Sequence, residues 1–540
     1  MKLWQRYFVA VTLVFMLFME TIRSYTNAEN RFFHHWDFSD GLSLSLGVLA
    51  LGTLAFGVHE IATRLGGARS RHFVQNVFLL AAGAAVVMWF PFHLLPSLLT
   101  KGLAMAAVWL GVAFVVFGWP HRKFPLVKWA ANGLLVVSPI VPISIFRLLS
   151  YPSWYTPIEP APSFQNKNLS GTPVFIFVFD EWSYVRSTTN GHFLSCFRSM
   201  GDISRESIFC SNAEASGDDT WVSLPGLIFQ RHDRLKIEEG RAGWLENEHL
   251  TVSSNLPSLF QLAKENGFNT CLVGFHLPYR KLLGSQVDYV RTFPFDWRPE
   301  SRNLVKRFWM HLLVTIRSWH DPISMCVREL FWSEDFRLPR ALQGRHWQTI
   351  NAGIRSELAD VIRRCPNNSF VLGHIPLPHG PFVFNGDGSY RGWTSGPLLP
   401  YDPAGYQRHL EFMDLVLGQL ISQLKQVNKF EQSTIILTGD HSWRADFTSE
   451  GRKPGNYDEL VSKVPLVIKL PGERHGYVVR DHLAETRLAP LISSIFHGQT
   501  NESTLLRILH HSATGADPKF SRLNRTEEIL ADPHAGSATD

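Results

Sequence analysis

Long, nearly unbroken apolar runs fill the first 150 residues, and the pattern changes character after them. Five segments, roughly 7–23, 42–62, 73–95, 103–119 and 129–149, come near the length of about 17–25 apolar residues that a membrane-crossing helix needs. The first has no small-residue cleavage site and is followed by four more, so it reads as a retained helix and not as a signal peptide. Pro139 and Pro142 fall in the fifth segment, where neighbouring helices can satisfy the freed carbonyls. Beyond residue 172 the runs shorten to VFIFVF (174–179), NTCLVGF (269–275), SFVLGHI (369–375), STIILTG (433–439) and VPLVIKL (464–470). Short, continuous, β-branched and aromatic runs of this kind suit strands buried on both faces. Between them, 255–266 and 405–428 carry apolar residues at three- and four-residue spacing, as amphipathic helices do. The fold expected is therefore an α-helical transmembrane region of about five helices, followed by an α/β domain with a mostly parallel central sheet. The expected divisions are 1–150 for the membrane helices, 151–172 for a Pro-, Ser- and Asn-containing linker, 173–514 for the catalytic domain, and 515–540 for a polar, disordered tail.

Charge placement orients the membrane region. Lys2 and Arg6 precede the first helix; Arg64, Arg69 and Arg71 lie between the second and third; Arg122, Lys123 and Lys128 lie between the fourth and fifth. The positive-inside rule puts these loops in the cytoplasm, and an odd number of helices then places residue 151 onward outside. The expected location is the inner (plasma) membrane, multi-pass, with the catalytic domain on the periplasmic or extracytoplasmic side. Trp36, Trp89, Trp109, Trp119 and Trp129 suit an interfacial belt. The net charge of +5 over 540 residues gives no argument for a nucleic-acid partner. All five cysteines (Cys196, Cys210, Cys271, Cys326 and Cys365) follow the membrane region, and none forms a Cys-x-x-Cys pair, which argues against a cysteine zinc ribbon. Outside the cytoplasm a disulfide becomes available, with Cys196–Cys210 the first pair to consider.

In parallel α/β sheets, chemistry gathers where strands end. Asp180-Glu181 follows the first strand, Asp440-His441 follows the strand at 433–439, and the loop Pro376–Pro381 with His379 follows the strand at 369–375. Carboxylates with histidine form a mixed oxygen and nitrogen set that suits zinc or manganese. Each element alone is commonplace; the three together at strand ends are not. A further element is Gly217-Asp-Asp-Thr220-Trp-Val-Ser223-Leu-Pro225-Gly226, which opens a helix-like stretch. A hydroxyl at a helix N-terminus beside a cation is readily deprotonated, although a threonine there is also an ordinary helix cap.

The ordered set FVFDE (177–181), GDDTWVSLP (217–225), PHGPF (378–382), IILTGDH (435–441) and KVPLVIKLPG (463–472) resembles the alkaline phosphatase superfamily in its sulfatase-like branch. Within it, the chain looks most like membrane-anchored phosphoethanolamine transferases and lipoteichoic acid synthases, which pair about five membrane helices with an external catalytic domain. The resemblance implies Thr220 as nucleophile and His379 as a catalytic or substrate-binding residue. It implies metal ligation by Asp180, Thr220, Asp440 and His441, with Glu181 as a further ligand candidate. One divalent ion is expected, zinc or manganese, with magnesium and calcium as further options. The implied reaction transfers a phosphoethanolamine-like or phosphoglycerol-like headgroup from a phospholipid donor to an envelope lipid or glycan acceptor, through a phospho-threonine. Alternatives are a phosphodiesterase or sulfuric-ester hydrolase, or an inactive membrane scaffold. Arg186, Arg444 and Lys453 are candidate phosphate holders beside their ordinary reading as surface cations. The chain departs from the branch in lacking the Cys/Ser-x-Pro-x-Arg signature around Thr220. It also has Ser442-Trp443-Arg444 where glycine is usual, Gly226 for cysteine, and no histidine after His441 until His475.

Overall fold

The computed structural model describes residues 1–19, 21–22, 38–67, 73–82, 123–150, 164, 171–238, 241–246, 249–293, most of 303–315, 337–392, 402–444, 462–472, 475–499, 501–514 and 521–522. The chain divides into two compact units, one of Met1–Tyr155 with Asp296–Pro339, the other of Thr156–Phe295 with Arg340–Asp540. The stretch expected as one catalytic domain, 173–514, thus contains an insertion that clusters with the N-terminal unit.

The first unit is helical, with α1 (Leu3–Leu17), α2 (Phe38–Leu65), α3 (Lys123–Val137) and α4 (Ile140–Ser150). Among the described residues two stretches are long and apolar enough to cross a membrane, Phe38–Leu65 and Val127–Ser150. Of the five expected spans, two meet this length among the described residues, and 83–95 of the third lies outside them. Leu3–Leu17 and Phe73–Ala82 are apolar but shorter; 103–119 lies outside the described residues. The second stretch is broken at Ser138-Pro139, between α3 and α4, because proline has no N–H to continue the ladder. Val11, Phe15, Phe18, Leu44, Val48, Val141 and Leu148 form a common buried cluster.

The second unit is built on a ten-stranded sheet. Its strands are β1 (Val174–Phe179), β2 (Ile208–Glu214), β3 (Asn269–Phe275), β4 (Tyr289–Phe293), β5 (Ser369–Ile375), β6 (Thr434–Gly439), β7 (Lys463–Lys469), β8 (Tyr477–Val479), β9 (Leu483–Ala484) and β10 (Ser521–Arg522). They lie in the order β10-β8-β2-β7-β6-β1-β5-β3-β4, with β9 beside β2. The block β6-β1-β5-β3-β4 is parallel throughout, while β7 runs antiparallel to both β6 and β2. Every residue of β1, β5 and β6 is buried, which is why these segments read as continuous apolar runs instead of alternating ones. Phe175, Phe177, Phe179, Val371 and Ile375 share a cluster with Trp347, Ile354 and Leu358 of α6 (Arg337–Arg364) and Leu410, Met413 and Leu417 of α7 (Pro403–Gln426). On the same scale as other core side chains, each contributes about 1.5–3 kcal/mol by burial. Phe370 meets Phe260 and Phe496 from two further helices, so helices cover both faces.

In the register of the central strands, Phe179 pairs with both Ile375 and Gly439. The three strands therefore stop at one level, and the residues after them emerge together.

Candidate active site

Asp180 is the first residue beyond β1. Its N–H donates to the Ile375 carbonyl at 3.0 Å and its carbonyl accepts from the His379 N–H at 3.1 Å. Backbone ladders thus lock the ends of β1 and β5 before any side chain acts. Glu181 then turns the chain with φ 66°, a left-handed conformation costly for a non-glycine residue, on the order of 1–3 kcal/mol. The turn has a local return, since it aims the Glu181 N–H at Asp440 Oδ1, 2.9 Å away.

Asp440 is the most fully bonded acid of the site. Its Oδ1 accepts from the N–H of Glu181 and, at 2.8 Å, of His441, and its Oδ2 accepts from Thr220 Oγ1 at 2.7 Å. Burial works to raise its pKa, but the adjoining His441 and His374 and these hydrogen bonds outweigh it and hold the carboxyl below its usual range. Asp180 is the opposite case. It is 1% exposed, neither side-chain oxygen has a hydrogen-bond partner among the described residues, and burial with the charges of Asp440 and Glu181 pushes its pKa well up. His441 Nδ1 lies 2.9 Å from the Ser442 carbonyl, an acceptor, so Nδ1 carries the proton and Nε2 presents a lone pair. That nitrogen has no hydrogen-bond partner either, and lies 4.0 Å from Asp180 Oδ1 and 3.6 Å from Asp440 Oδ2. Ligand atoms of Asp180, Asp440 and His441 all lie within 4.8 Å of one another. Two buried carboxylates and an imidazole lone pair converge, with Asp180 and His441 Nε2 lacking donors, and such a set fits a divalent cation.

Thr220 begins helix α5 (Thr220–Phe229) but does not cap it. The cap is Asp219, whose side chain accepts from the N–H groups of Trp221 and Val222 at 2.9 and 3.0 Å. The hydroxyl of Thr220 is thereby released for Asp440, which disposes of the cap reading. Ser223, the other hydroxyl of the motif, donates back to the Asp219 carbonyl at 2.8 Å. Gly226 stands where the resemblance expects cysteine because a Cβ there would come within 2.3 Å of Ser216 Cβ and 2.6 Å of the Arg231 carbonyl.

The remaining candidates divide. Glu181 Oε1 accepts from Arg444 Nε at 3.3 Å, so it faces a guanidinium and is not in the three-residue cluster. The same pair shows Arg444 neutralising a buried acid, and the charges of Glu181, Asp180 and Asp440 overcome burial to raise its pKa. Arg186 lies over the ring of Trp443 at 5.6 Å, and Trp443 stacks on Tyr406 at 4.3 Å. His379 Nδ1 makes a short contact with the Gly380 carbonyl, which leaves Nε2 as its basic nitrogen, and burial lowers its pKa. His409 supports that loop. It accepts the Phe384 N–H at Nε2 and reaches the His379 carbonyl at 3.2 Å through Nδ1. Lys453 lies outside the described residues. Cys196, Cys210, Cys271 and Cys365 are free thiols, so the expected Cys196–Cys210 disulfide is not formed.

Sequence reasoning missed His374. It stands within β5 itself, fully buried, with Tyr279 OH 2.7 Å from Nδ1 and Nε2 3.8 Å from Asp180 Oδ2. Burial pushes its pKa down to about 4. Its signal was a histidine one residue from the end of a buried strand, whereas attention to strand ends stopped at residues beyond the strand. His276, the first residue beyond β3, accepts the Trp221 indole N–H at 3.0 Å and was also missed.

Residues 247–497 match the family model described as Sulfatase. That segment, a little under half of the chain, is similar to the sulfatase family. The match takes in His379, Asp440 and His441, while Asp180 and Thr220 precede it. The domain is that of a sulfatase-like enzyme. No curated protein matches the chain. Similar solved structures include a 2-O GAG sulfatase (12% identity, 65% of this chain and 76% of that one, TM-score 0.41). Another is the phosphonate monoester hydrolase of Agrobacterium radiobacter (14% identity, 64% and 78%, TM-score 0.40). A third is the lipoteichoic acid synthase LtaP from Listeria monocytogenes (13% identity, 62% and 75%, TM-score 0.36).

Proposed function

We propose that this sulfatase-like domain transfers a phospho-headgroup from a membrane phospholipid to an envelope lipid or glycan acceptor, through a phosphorylated Thr220. The observation that carries the reading is the Thr220 hydroxyl, freed from capping by Asp219 and held 2.7 Å from Asp440 beside two buried groups that lack donors. Asp180, Asp440 and His441 would hold one divalent ion, with the Thr220 oxygen as a further ligand. That ion supplies Lewis acidity, lowering the pKa of the hydroxyl and screening phosphoryl charge.

The residues do the rest. Thr220 Oγ1 gives up its proton, for which Asp440 Oδ2 is the hydrogen-bonded acceptor, and forms a bond to phosphorus. The ester bond to the diacylglycerol oxygen breaks, and that oxygen takes up the released proton. The dipole of α5 favours negative charge at its N-terminus, where the phosphorylated Thr220 would stand. In the second half, the acceptor hydroxyl passes its proton to His379 Nε2 and attacks phosphorus, the phosphorus–Oγ1 bond breaks, and the proton held by His379 is returned to Thr220 Oγ1, restoring both residues. A His379 held neutral by burial suits a base better than an acid. Arg186 and Lys453 remain candidates for a non-bridging oxygen; Arg444 acts chiefly by holding Glu181.

Anchoring by the apolar N-terminal helices at the inner (plasma) membrane, with the catalytic unit on the extracytoplasmic face, supports a lipid donor, because confinement near the headgroups raises effective concentration. The absence of the Cys/Ser-x-Pro-x-Arg signature around Thr220 weighs against a sulfuric ester. The test is mass spectrometry of membrane lipids and envelope glycans from cells with and without the protein. A headgroup that moves from phospholipid to acceptor supports transfer. Release of the free phospho-alcohol with no modified acceptor means hydrolysis, and unchanged lipids and glycans refute the proposal.

A further inference from the structure

Residues Asp296–Pro339 sit in sequence between two parts of the catalytic unit, yet they cluster with Met1–Tyr155. The chain therefore leaves the unit that bears the site after Phe295 and returns to it at Arg340. The described residues between 304 and 315 are helical, and several of them meet α1, α2 and the residues that follow α1. Arg307 Nη1 lies 2.8 Å from Asp40 Oδ2, and His311 Nε2 lies 3.6 Å from Asp40 Oδ1. Asp40 is buried in the first turn of α2. Ser43 Oγ donates to the Leu304 carbonyl at 2.7 Å, and the hydroxyls of Thr315 and Thr21 meet at 2.6 Å. Phe308 stacks on Phe18 with ring centroids 6.1 Å apart, and it fills the space above Gly47, where a Cβ would come within 1.9 Å of the ring. Apolar contact alone would let such a helix slide; the buried charge pair and the glycine notch fix its register.

Two other side chains of this helix are apolar and exposed. Val305 and Trp309, four residues apart, are 65% and 57% exposed. On α2 of the same unit, a helix long enough to cross a membrane, Leu46, Leu54, Val58 and Ile61 are likewise exposed. Exposed apolar side chains docked beside a membrane-length helix suit lipid, and tryptophan suits the headgroup region.

We infer that the 304–315 segment is a second membrane anchor of the catalytic unit, docking on α1 and α2 and turning Val305 and Trp309 to lipid. The unit bearing Thr220 is thereby tied to the bilayer through the excursion as well as through the linker that precedes β1. This rests on the membrane reading above. Full-length protein in liposomes of phosphatidylethanolamine and phosphatidylglycerol, with a specific protease site placed within 157–163, tests it. After cleavage and a high-salt wash, the C-terminal fragment stays in the pellet. In the Arg307→Glu, Phe308→Ala variant the released fraction rises at least fivefold. Release of the wild-type fragment on cleavage overturns the anchor, as does equal retention in the variant. Uncut protein found in the supernatant instead sinks the membrane reading itself. A spin label at Trp309→Cys, in a Cys196→Ser background, gives an independent check that does not depend on the docking variant. Collision with oxygen well above that with a water-soluble nickel reagent supports a lipid-facing helix, and the reverse refutes it.

Discussion

Replacing Thr220 by alanine separates catalysis from folding more cleanly than any other change. The variant loses one hydrogen bond to a buried carboxylate, which at 2.7 Å contributes about 1.5–3 kcal/mol net. Alanine in the first turn of α5 returns up to roughly 0.7 kcal/mol of helix propensity. Asp219 still caps the helix, and Asp440 keeps the N–H groups of Glu181 and His441. The net cost is then about 1–2.5 kcal/mol, a shift of a few degrees in melting temperature for a unit of this size. Turnover should fall by about 10⁴–10⁶, the scale on which removal of a covalent nucleophile acts. The assay is initial-rate transfer from a fluorescent phospholipid in detergent micelles, with metal content measured on the same sample and peptide mass spectrometry of acid-quenched wild type for phosphate on Thr220. A variant that keeps a tenth or more of wild-type turnover, or a phosphate trapped on a different residue, removes Thr220 from the chemistry.

Other consequences are as direct. Chelation should lower the melting temperature and re-addition of zinc or manganese restore it, because Asp180 and Asp440 otherwise lie buried with too few counter-charges; binding at a hundred times Kd corresponds to about 2.7 kcal/mol, and an unchanged melting curve would refute the site. Asp219→Ala removes the cap at about 0.5–2 kcal/mol and should lower kcat while metal affinity holds, since Asp219 positions Thr220 and touches no ligand in the cluster. His409, buried with its pKa pushed down to about 3, stays neutral when folded and gains a proton on unfolding below about pH 6.5. Its share of stability is therefore complete above that pH and drains as pH falls toward 3; denaturant titrations of His409→Gln should show a shallower acid slope than wild type, and parallel slopes would refute the assignment. Arg444→Ala leaves Glu181 buried without its partner and should cost about 2–4 kcal/mol, with loss seen in denaturant midpoint more than in KM.

The apolar runs at 174–179, 369–375 and 434–439 determined the central strands by themselves, because a strand buried on both faces needs no partner to be recognised. The same reasoning fixed where Asp180, Asp440 and His441 would emerge, since parallel strands end on one side of a sheet. Two membrane-length helices were likewise readable from composition and length alone. What the sequence left open was decided by contacts between distant segments. Thr220 reads in sequence as a cap or a nucleophile; only the structure shows that Asp219 caps α5 and that the Thr220 hydroxyl meets Asp440 Oδ2, from a strand end far along the chain. That Glu181 Oε1 faces Arg444 is likewise seen only in the structure. Residues 296–339 read as part of the catalytic domain until Asp40, buried in α2, takes Arg307. Short-range patterns specify elements because propensity and periodicity are local; the partner of a buried polar group is a non-local quantity, and packing alone supplies it.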